Sequence, residues 1–284
     1  MMSTVRSNGC DLHCEVAGEG VPILLIHPSG STASTWGSAV EELSRIGRVI
    51  TYDRRGYARS GGAPVHSVRT HTADAAAILE ALADAPAVVV GTSSGATIAV
   101  DVAVRRPDLV RVVVAHEAPW RAIRRVPTAP QMAALVKIGT LTLLGRHVAA
   151  AETLLHFAYG YREGGSAWDA FPEEWREVGR QNARPALADF RATIGEYPSR
   201  RDLATVITPV VCSYGARSAD RMSVYARELA AAMPGGRTCR LDGAGHAAPF
   251  DAPDNFVRVI ADAIEVSASD VERDAMIGAA ASAR

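Results

Sequence analysis

The chain has little net charge and no targeting or membrane signal. Its 284 residues contain 30 Lys and Arg against 31 Asp and Glu, so no overall basic field attracts nucleic acid or anionic lipid. The first nine residues lack the apolar core of a signal peptide, and no apolar run is long enough to span a bilayer. These absences predict a cytoplasmic protein with a small, nearly uncharged substrate and no nucleic-acid or membrane partner. The same features are compatible with a homodimer.

Cysteine is scarce and follows no metal-binding pattern. The four cysteines are Cys10, Cys14, Cys212 and Cys239, and no CxxC pair occurs among them. We therefore expect reduced structural thiols and no metal site.

Apolar strand-like runs alternate with helical stretches along most of the chain. An Asn8-Gly9 turn joins two short N-terminal strands, and further strands are predicted at 23–26, 48–52, 87–90, 110–115, 209–214 and 238–241. Helix-spaced apolar residues occur at 36–46, 71–82, 96–104, 225–232 and 255–264. This alternation predicts an α/β fold with a mostly parallel central sheet covered by helices on both faces.

One region departs from the alternation. Residues 120–203 contain helical segments at 131–144, 149–157, 172–181 and 184–194 but no good strand. We interpret 120–203 as a helical cap inserted into a core formed by 1–119 and 204–284. Because the insertion follows a strand's carboxyl end, the cap is expected over the edge where such sheets bind ligands. The tail, 267–284, is rich in Ala and Ser and is expected to be a loose helix or disordered.

The segment Gly91-Thr92-Ser93-Ser94-Gly95 has the pattern of a nucleophile elbow. A strand-like run enters it and a helix-compatible stretch leaves it. In that context the central serine, Ser93, is held on a strained turn that exposes its hydroxyl. The glycines allow strand and helix to pack closely, and the Ser94 N–H is a predicted oxyanion donor.

A serine nucleophile needs a base and an acid from other strand ends. His246 follows the last strand run and comes last in the order expected on this fold, so it is the predicted base. The turn after strand 209–214 carries Ser218 where an aspartate would be expected, with Asp220 two residues later. Glu117 ends the strand that follows the elbow, and we favour it as the acid over Asp220.

The loop His27-Pro28-Ser29-Gly30 should supply the second oxyanion donor. Pro28 has no N–H, so the donor is predicted to be Ser29, with Gly30 keeping the loop compact. His27 is expected to brace this loop. The turn 53–60, Asp53-Arg54-Arg55-Gly56-Tyr57-Ala58-Arg59-Ser60, is expected to hold an ion-pair network of its own.

With these motifs placed, the chain resembles the α/β-hydrolase superfamily over nearly its whole length. Gly91 to Ala96, the stretch His116-Glu117-Ala118-Pro119 and Gly164 to Trp168 look like the zearalenone lactone hydrolases. That resemblance implies a Ser-His-Glu triad and a lactone substrate, and hydrolysis by such a triad requires no cofactor. That family has a tryptophan late in the cap, where this chain has Phe190 and Ile194.

The substrate is expected to meet the cap. Trp168 and Trp175 are candidates for either the substrate surface or the cap core, and the later residues Phe190, Ile194 and Tyr197 complete the predicted binding set. The leading hypothesis is a lactonase or carboxylesterase. The same residues also suit a cofactor-free C–C bond or thioester hydrolase, and a non-catalytic ligand-binding protein is a third alternative.

Overall fold

An eight-stranded sheet forms the centre of the molecule. The structure, a computed structural model, describes residues 1–120 and 128–282, and excludes the side chains of 193–195 and 268–282. The strands are β1 (Met2–Ser7), β2 (Cys10–Ala17), β3 (Pro22–Ile26), β4 (Arg48–Tyr52), β5 (Ala87–Thr92), β6 (Val110–His116), β7 (Val210–Gly215) and β8 (Gly236–Leu241). Their order is β1-β2-β4-β3-β5-β6-β7-β8, with β1 and β2 antiparallel to their neighbours and the other pairs parallel. The predicted mostly parallel sheet is confirmed.

The first two strands form the predicted hairpin. Ser7 pairs with Cys10 across the turn, and Asn8 and Gly9 have φ angles of 44° and 75°. Positive φ at both central positions is the geometry of a type I′ turn, which matches the twist of the strands and explains the Asn-Gly pair.

Helices cover both faces of the sheet, as predicted. The core helices are α1 (Ser38–Leu43), α2 (Val68–Leu82), α3 (Ser94–Arg105), α10 (Asp220–Ala230), α11 (Ala248–Asp251) and α12 (Pro253–Ser282). Neighbouring β3 side chains point to opposite faces: Leu24 belongs to the buried cluster that includes Ile78 and Ile98, whereas Leu25 belongs to the cluster that includes Phe256. The sheet is therefore buried on both sides, which explains its unbroken apolar strands.

The described part of the segment between β6 and β7 consists of helices joined by loops. It contains α4 (Ala129–Leu143), α5 (His147–Ala158), α6 (Ala167–Ala170), α7 (Glu173–Gln181), α8 (Ala183–Gly195) and α9 (Arg200–Leu203). The four predicted cap helices correspond to α4, α5, α7 and α8. The short α6 and α9 were not predicted, because a single turn carries too little periodicity to detect.

The C-terminal helix continues through the predicted tail to Ser282, well beyond the apolar periodicity that ends at 264. No helix of the described residues is long and apolar enough to cross a membrane. All four cysteines are free thiols, and Cys10, Cys14 and Cys212 are buried.

Candidate active site

Ser93 lies on a tight turn between β5 and α3. Its φ and ψ angles are 53° and −121°, a backbone conformation that residues other than glycine rarely adopt. A Cβ atom on Gly91 would lie 2.2 Å from the carbonyl oxygen of Gly95, and one on Gly95 would lie 2.1 Å from that of Ile26. A side chain at either position would therefore clash with the backbone, and the turn requires both glycines.

His246 and Glu117 meet across two strand ends. The His246 Nδ1 atom lies 2.7 Å from Glu117 Oε2, and Glu117 Oε1 accepts a hydrogen bond of 2.8 Å from the Gly215 N–H. Because a carboxylate is an acceptor, Nδ1 is the donor in this contact. Burial alone would raise the pKa of Glu117, but the His246 hydrogen bond and the neighbouring His116 lower it to about 2.

Asp220, the alternative acid, lies apart from this pair. It is the first residue of α10, its side chain is 84% exposed, and it faces Arg162 at 3.2 Å. The geometry thus favours Glu117 as the partner of His246, whereas Asp220 belongs to an exposed ion pair.

The loop after β3 lies against the elbow. Ser29 Oγ is 2.9 Å from Ser94 Oγ and 3.0 Å from Asp189 Oδ2, so the predicted oxyanion residues are neighbours. Gly30 has a φ of 71°, and a Cβ there would lie 2.8 Å from Leu155 of α5. A glycine therefore lets the cap pack closely on this loop.

His27 braces the loop from within. Its Nδ1 lies 2.8 Å from the Pro28 carbonyl oxygen, and its Nε2 accepts a hydrogen bond of 3.0 Å from the Arg54 N–H. This pattern requires the neutral ring with its proton on Nδ1. Complete burial and the charge of Arg54 lower the pKa of His27 to about 3.

The turn after β4 differs from the prediction of an internal ion-pair network. Only Arg59 and Asp53 pair within it. Arg54 instead binds Asp189 of the cap helix α8. Asp189 also accepts hydrogen bonds from Tyr57 at 2.6 Å and from His71 at 3.1 Å.

The second arginine of that turn also bonds outside it. Arg55 donates to both carboxylate oxygens of Asp74 on α2, at 2.8 and 2.6 Å. The two arginines thus bind carboxylates on elements far away in the sequence. Through these ion pairs the turn is connected to the cap and to α2.

Several residues that support the His246 loop were not recognised in the sequence. Buried His116 lies 3.1 Å from the Gly245 carbonyl oxygen, and Asp251 accepts a 2.8 Å hydrogen bond from the Gly245 N–H. The Tyr159 ring packs edge-on against His246 with 5.5 Å between centroids. His116 directly precedes Glu117, but its partner lies 129 residues away, so no local pattern could reveal this role.

Ser93 and His246 share a cavity of about 210 Å³ between core and cap. Most of its lining is apolar. The residues around it are Pro28, Ser29, Ser93, Ser94, Pro119, Gln131, Leu135, Leu154, Leu155, Phe157, Ala158, Tyr159, Phe190, Tyr197, Arg221, Met222, Tyr225 and His246.

The predicted cap residues divide between this cavity and the protein interior. Phe190 and Tyr197 line the cavity. Trp168 and Trp175 do not: both pack on Phe171, at ring distances of 6.1 and 5.5 Å, and Trp175 also contacts Phe250. They join the cap to the helix that follows His246. The Ile194 side chain lies outside the described residues.

A wider cleft of about 950 Å³ lies elsewhere, along β2 and α7. It contains none of the predicted site residues. Its charged side chains neutralise one another, since Arg59 pairs with both Glu15 and Asp53. We therefore assign the candidate site to the smaller cavity.

Comparisons with known proteins agree with this architecture. A family model described as the alpha/beta hydrolase family matches residues 23–259. A putative non-heme bromoperoxidase, BpoC, of Mycobacterium tuberculosis is 30% identical over 242 residues, which cover 84% of this chain and 91% of that protein. The uncharacterized hydrolase YraK of Bacillus subtilis is 38% identical over 117 residues, which cover 40% of this chain and only 43% of that protein.

Solved structures share the fold at lower identity. The enol-lactonase from Burkholderia xenovorans LB400 superposes with a TM-score of 0.74 at 22% identity, covering 93% of this chain and 100% of that one. Est816, described as an N-acyl homoserine lactone degrading enzyme, superposes with a TM-score of 0.75 at 20% identity, covering 92% and 99%. At these identities the likeness shows the fold alone.

Proposed function

The chain belongs to the alpha/beta hydrolase family and is a hydrolase, and from that premise we propose that it cleaves a small carboxylic ester or lactone through an acyl-enzyme on Ser93. One observation carries the proposal. The His246 ring is paired with the Glu117 carboxylate at 2.7 Å, beside the same cavity that Ser93 lines. A serine, an oriented imidazole and a buried carboxylate are the groups that acyl transfer requires.

Acylation begins when Ser93 Oγ attacks the carbonyl carbon of the substrate. His246 Nε2 takes the hydroxyl proton, and Glu117 stabilises the imidazolium that forms. The backbone N–H groups of Ser94 and Ser29 are the proposed donors to the oxyanion of the tetrahedral intermediate.

The intermediate then collapses. The carbon–oxygen bond to the leaving group breaks, and the imidazolium returns its proton to the departing alkoxide. Water attacks the acyl-enzyme with His246 as base, which releases a carboxylic acid and restores Ser93. No metal or redox group takes part in this sequence of steps.

The cavity favours a small substrate. Its volume of about 210 Å³ is below the roughly 300–1,000 Å³ typical of ligand pockets. Phe190 and Tyr197 supply aromatic surface for the acyl or alcohol part. We therefore propose short-chain esters and small lactones as preferred substrates, ahead of a macrolide lactone such as zearalenone.

The test is a substrate panel with matched serine variants. Aryl esters, small lactones, zearalenone, thioesters and diketones are assayed with wild type, Ser93→Ala and Ser223→Ala, the last a serine that does not line the cavity. Ser93→Ala should lose on the order of 10³-fold or more in kcat with unchanged thermal unfolding, and Ser223→Ala should remain active.

Three outcomes would refute the proposal. Turnover of esters by folded Ser93→Ala would remove this serine from the mechanism. Turnover confined to diketones or thioesters would assign the site to another reaction. Ligand binding without turnover of any panel member would indicate a non-catalytic protein.

A further inference from the structure

Arg221 places a cationic side chain at the otherwise largely apolar cavity. It is the second residue of α10, it is partly buried, and it lines the cavity together with Met222 and Tyr225. Its guanidinium carbon lies 4.8 Å from the centre of the Phe157 ring. Among the residues that the structure describes, no carboxylate forms an ion pair with Arg221.

Burial is the largest influence on the charge of Arg221. Burial lowers the pKa of the Arg221 guanidinium, and the attractions of Tyr225 and Glu117 only partly offset that effect. Glu117 itself is held by Gly215 and His246. By contrast, the hydrogen bonds of Asp74 raise the pKa of Arg55.

We propose that Arg221 binds a carboxylate of the substrate, so that the preferred substrate is a small ester or lactone carrying a second, ionised carboxyl group. This inference rests on the proposed function of the same site. A guanidinium presents a planar set of N–H donors that matches a carboxylate, and pairing compensates the cost of burying its charge. It replaces the expectation of an uncharged substrate, which the net charge of the whole chain had suggested.

Matched esters test this proposal. The kcat/KM for 4-nitrophenyl hydrogen glutarate is compared with that for 4-nitrophenyl hexanoate, which has a similar length but no charge. Wild type should prefer the glutarate ester, and Arg221→Met should reduce the ratio of the two values by about 10- to 100-fold. Arg221→Lys should retain part of the preference, because it keeps the charge but loses the planar donor set.

The control is Arg227→Met, which removes an exposed arginine from the same helix and should leave the ratio as in wild type. A wild-type preference for the neutral ester would overturn the proposal. So would an equal loss on both esters in Arg221→Met, since that pattern would assign Arg221 to the electrostatics of the Glu117–His246 pair.

A binding measurement separates this inference from the proposed function. Glutarate is titrated calorimetrically into Ser93→Ala and into Ser93→Ala combined with Arg221→Met. We expect binding to Ser93→Ala that weakens by 10-fold or more in the double variant. Absence of Arg221-dependent binding would overturn the carboxylate subsite, whatever the hydrolysis assays show. Conversely, such binding together with undiminished ester turnover by Ser93→Ala would refute the acyl-enzyme and preserve the subsite.

Discussion

Two residues of the proposed site, Ser93 and Glu117, have left-handed backbone conformations, with φ angles of 53° and 50°. Such conformations cost on the order of 1–3 kcal/mol each in residues other than glycine, so neighbouring structure must hold them. The Ser93 N–H donates to the His116 carbonyl oxygen at 2.8 Å, and the Glu117 N–H donates to that of Ser213 at 2.9 Å. Both side chains are thus presented by backbone that the adjoining strands hold in place.

At the level of a single residue, we expect Glu117→Gln to lower kcat on ester substrates by about 10²-fold or more, and Asp220→Asn to change it less than about 2-fold. Glutamine preserves the shape but removes the charge that stabilises the His246 imidazolium, whereas Asp220 is exposed and pairs with Arg162. Steady-state kinetics of the two purified variants measure this difference. A severe loss in Asp220→Asn with a mild one in Glu117→Gln would reverse the assignment of the acid.

At the level of the elements, the cap helix α8 is attached to the core through Asp189. Arg54 is completely buried, and Asp189 is its ion-pair partner. Burial alone would raise the pKa of Asp189, but the Arg54 charge and the hydrogen bonds of His71 and Tyr57 hold it below its ordinary value. The same carboxylate lies 3.0 Å from Ser29 Oγ, so it also connects α8 to the predicted oxyanion loop.

Asp189→Asn should therefore lower the free energy of unfolding by about 3–5 kcal/mol, because the buried Arg54 charge loses its partner. The matched control, Glu173→Gln, removes a carboxylate that is 64% exposed and pairs with Arg180 on the surface of α7. It should cost less than about 1 kcal/mol. Urea denaturation of both variants gives the two values, and comparable losses would contradict the anchoring role of Asp189.

At the level of the whole molecule, buried histidine should make stability depend on pH. The pKa of His27 falls from 6.5 to about 3 through burial and the charge of Arg54. Between these pH values the unfolded chain binds a proton at His27 that the folded protein does not. The free energy of unfolding therefore rises with pH in that window, by about 1.4 kcal/mol per pH unit for this one group.

Replacement of His27 by glutamine, which does not titrate, should reduce that slope by about 1.4 kcal/mol per pH unit between pH 4 and 6. Urea unfolding at several pH values measures it. Parallel slopes for wild type and His27→Gln would show that His27 does not make this contribution.

The sequence by itself determined the central architecture and the positions of the proposed nucleophile and base. Apolar runs such as 87–90 and 110–115 identified the buried parallel strands, because a strand covered on both faces is apolar throughout. The carboxyl ends of parallel strands meet at one edge of a sheet. Residues that follow separate strands, such as Ser93 and His246, could therefore be assigned to one site from their order alone.

Only the tertiary structure decided which distant side chains meet. It brought Glu117, which the sequence had favoured over Asp220, to 2.7 Å from His246, and it assigned Trp168 and Trp175 to packing between the cap and the core. It also gave Arg54 a partner in α8 and placed Arg221 at the cavity, where no carboxylate of the described residues forms an ion pair with it. Local periodicity specifies which side of an element is buried, but not the element that covers it. Several of these partners lie in the cap, more than a hundred residues along the chain from the first strands. Which side chains meet therefore depends on how the cap packs over the edge of the sheet.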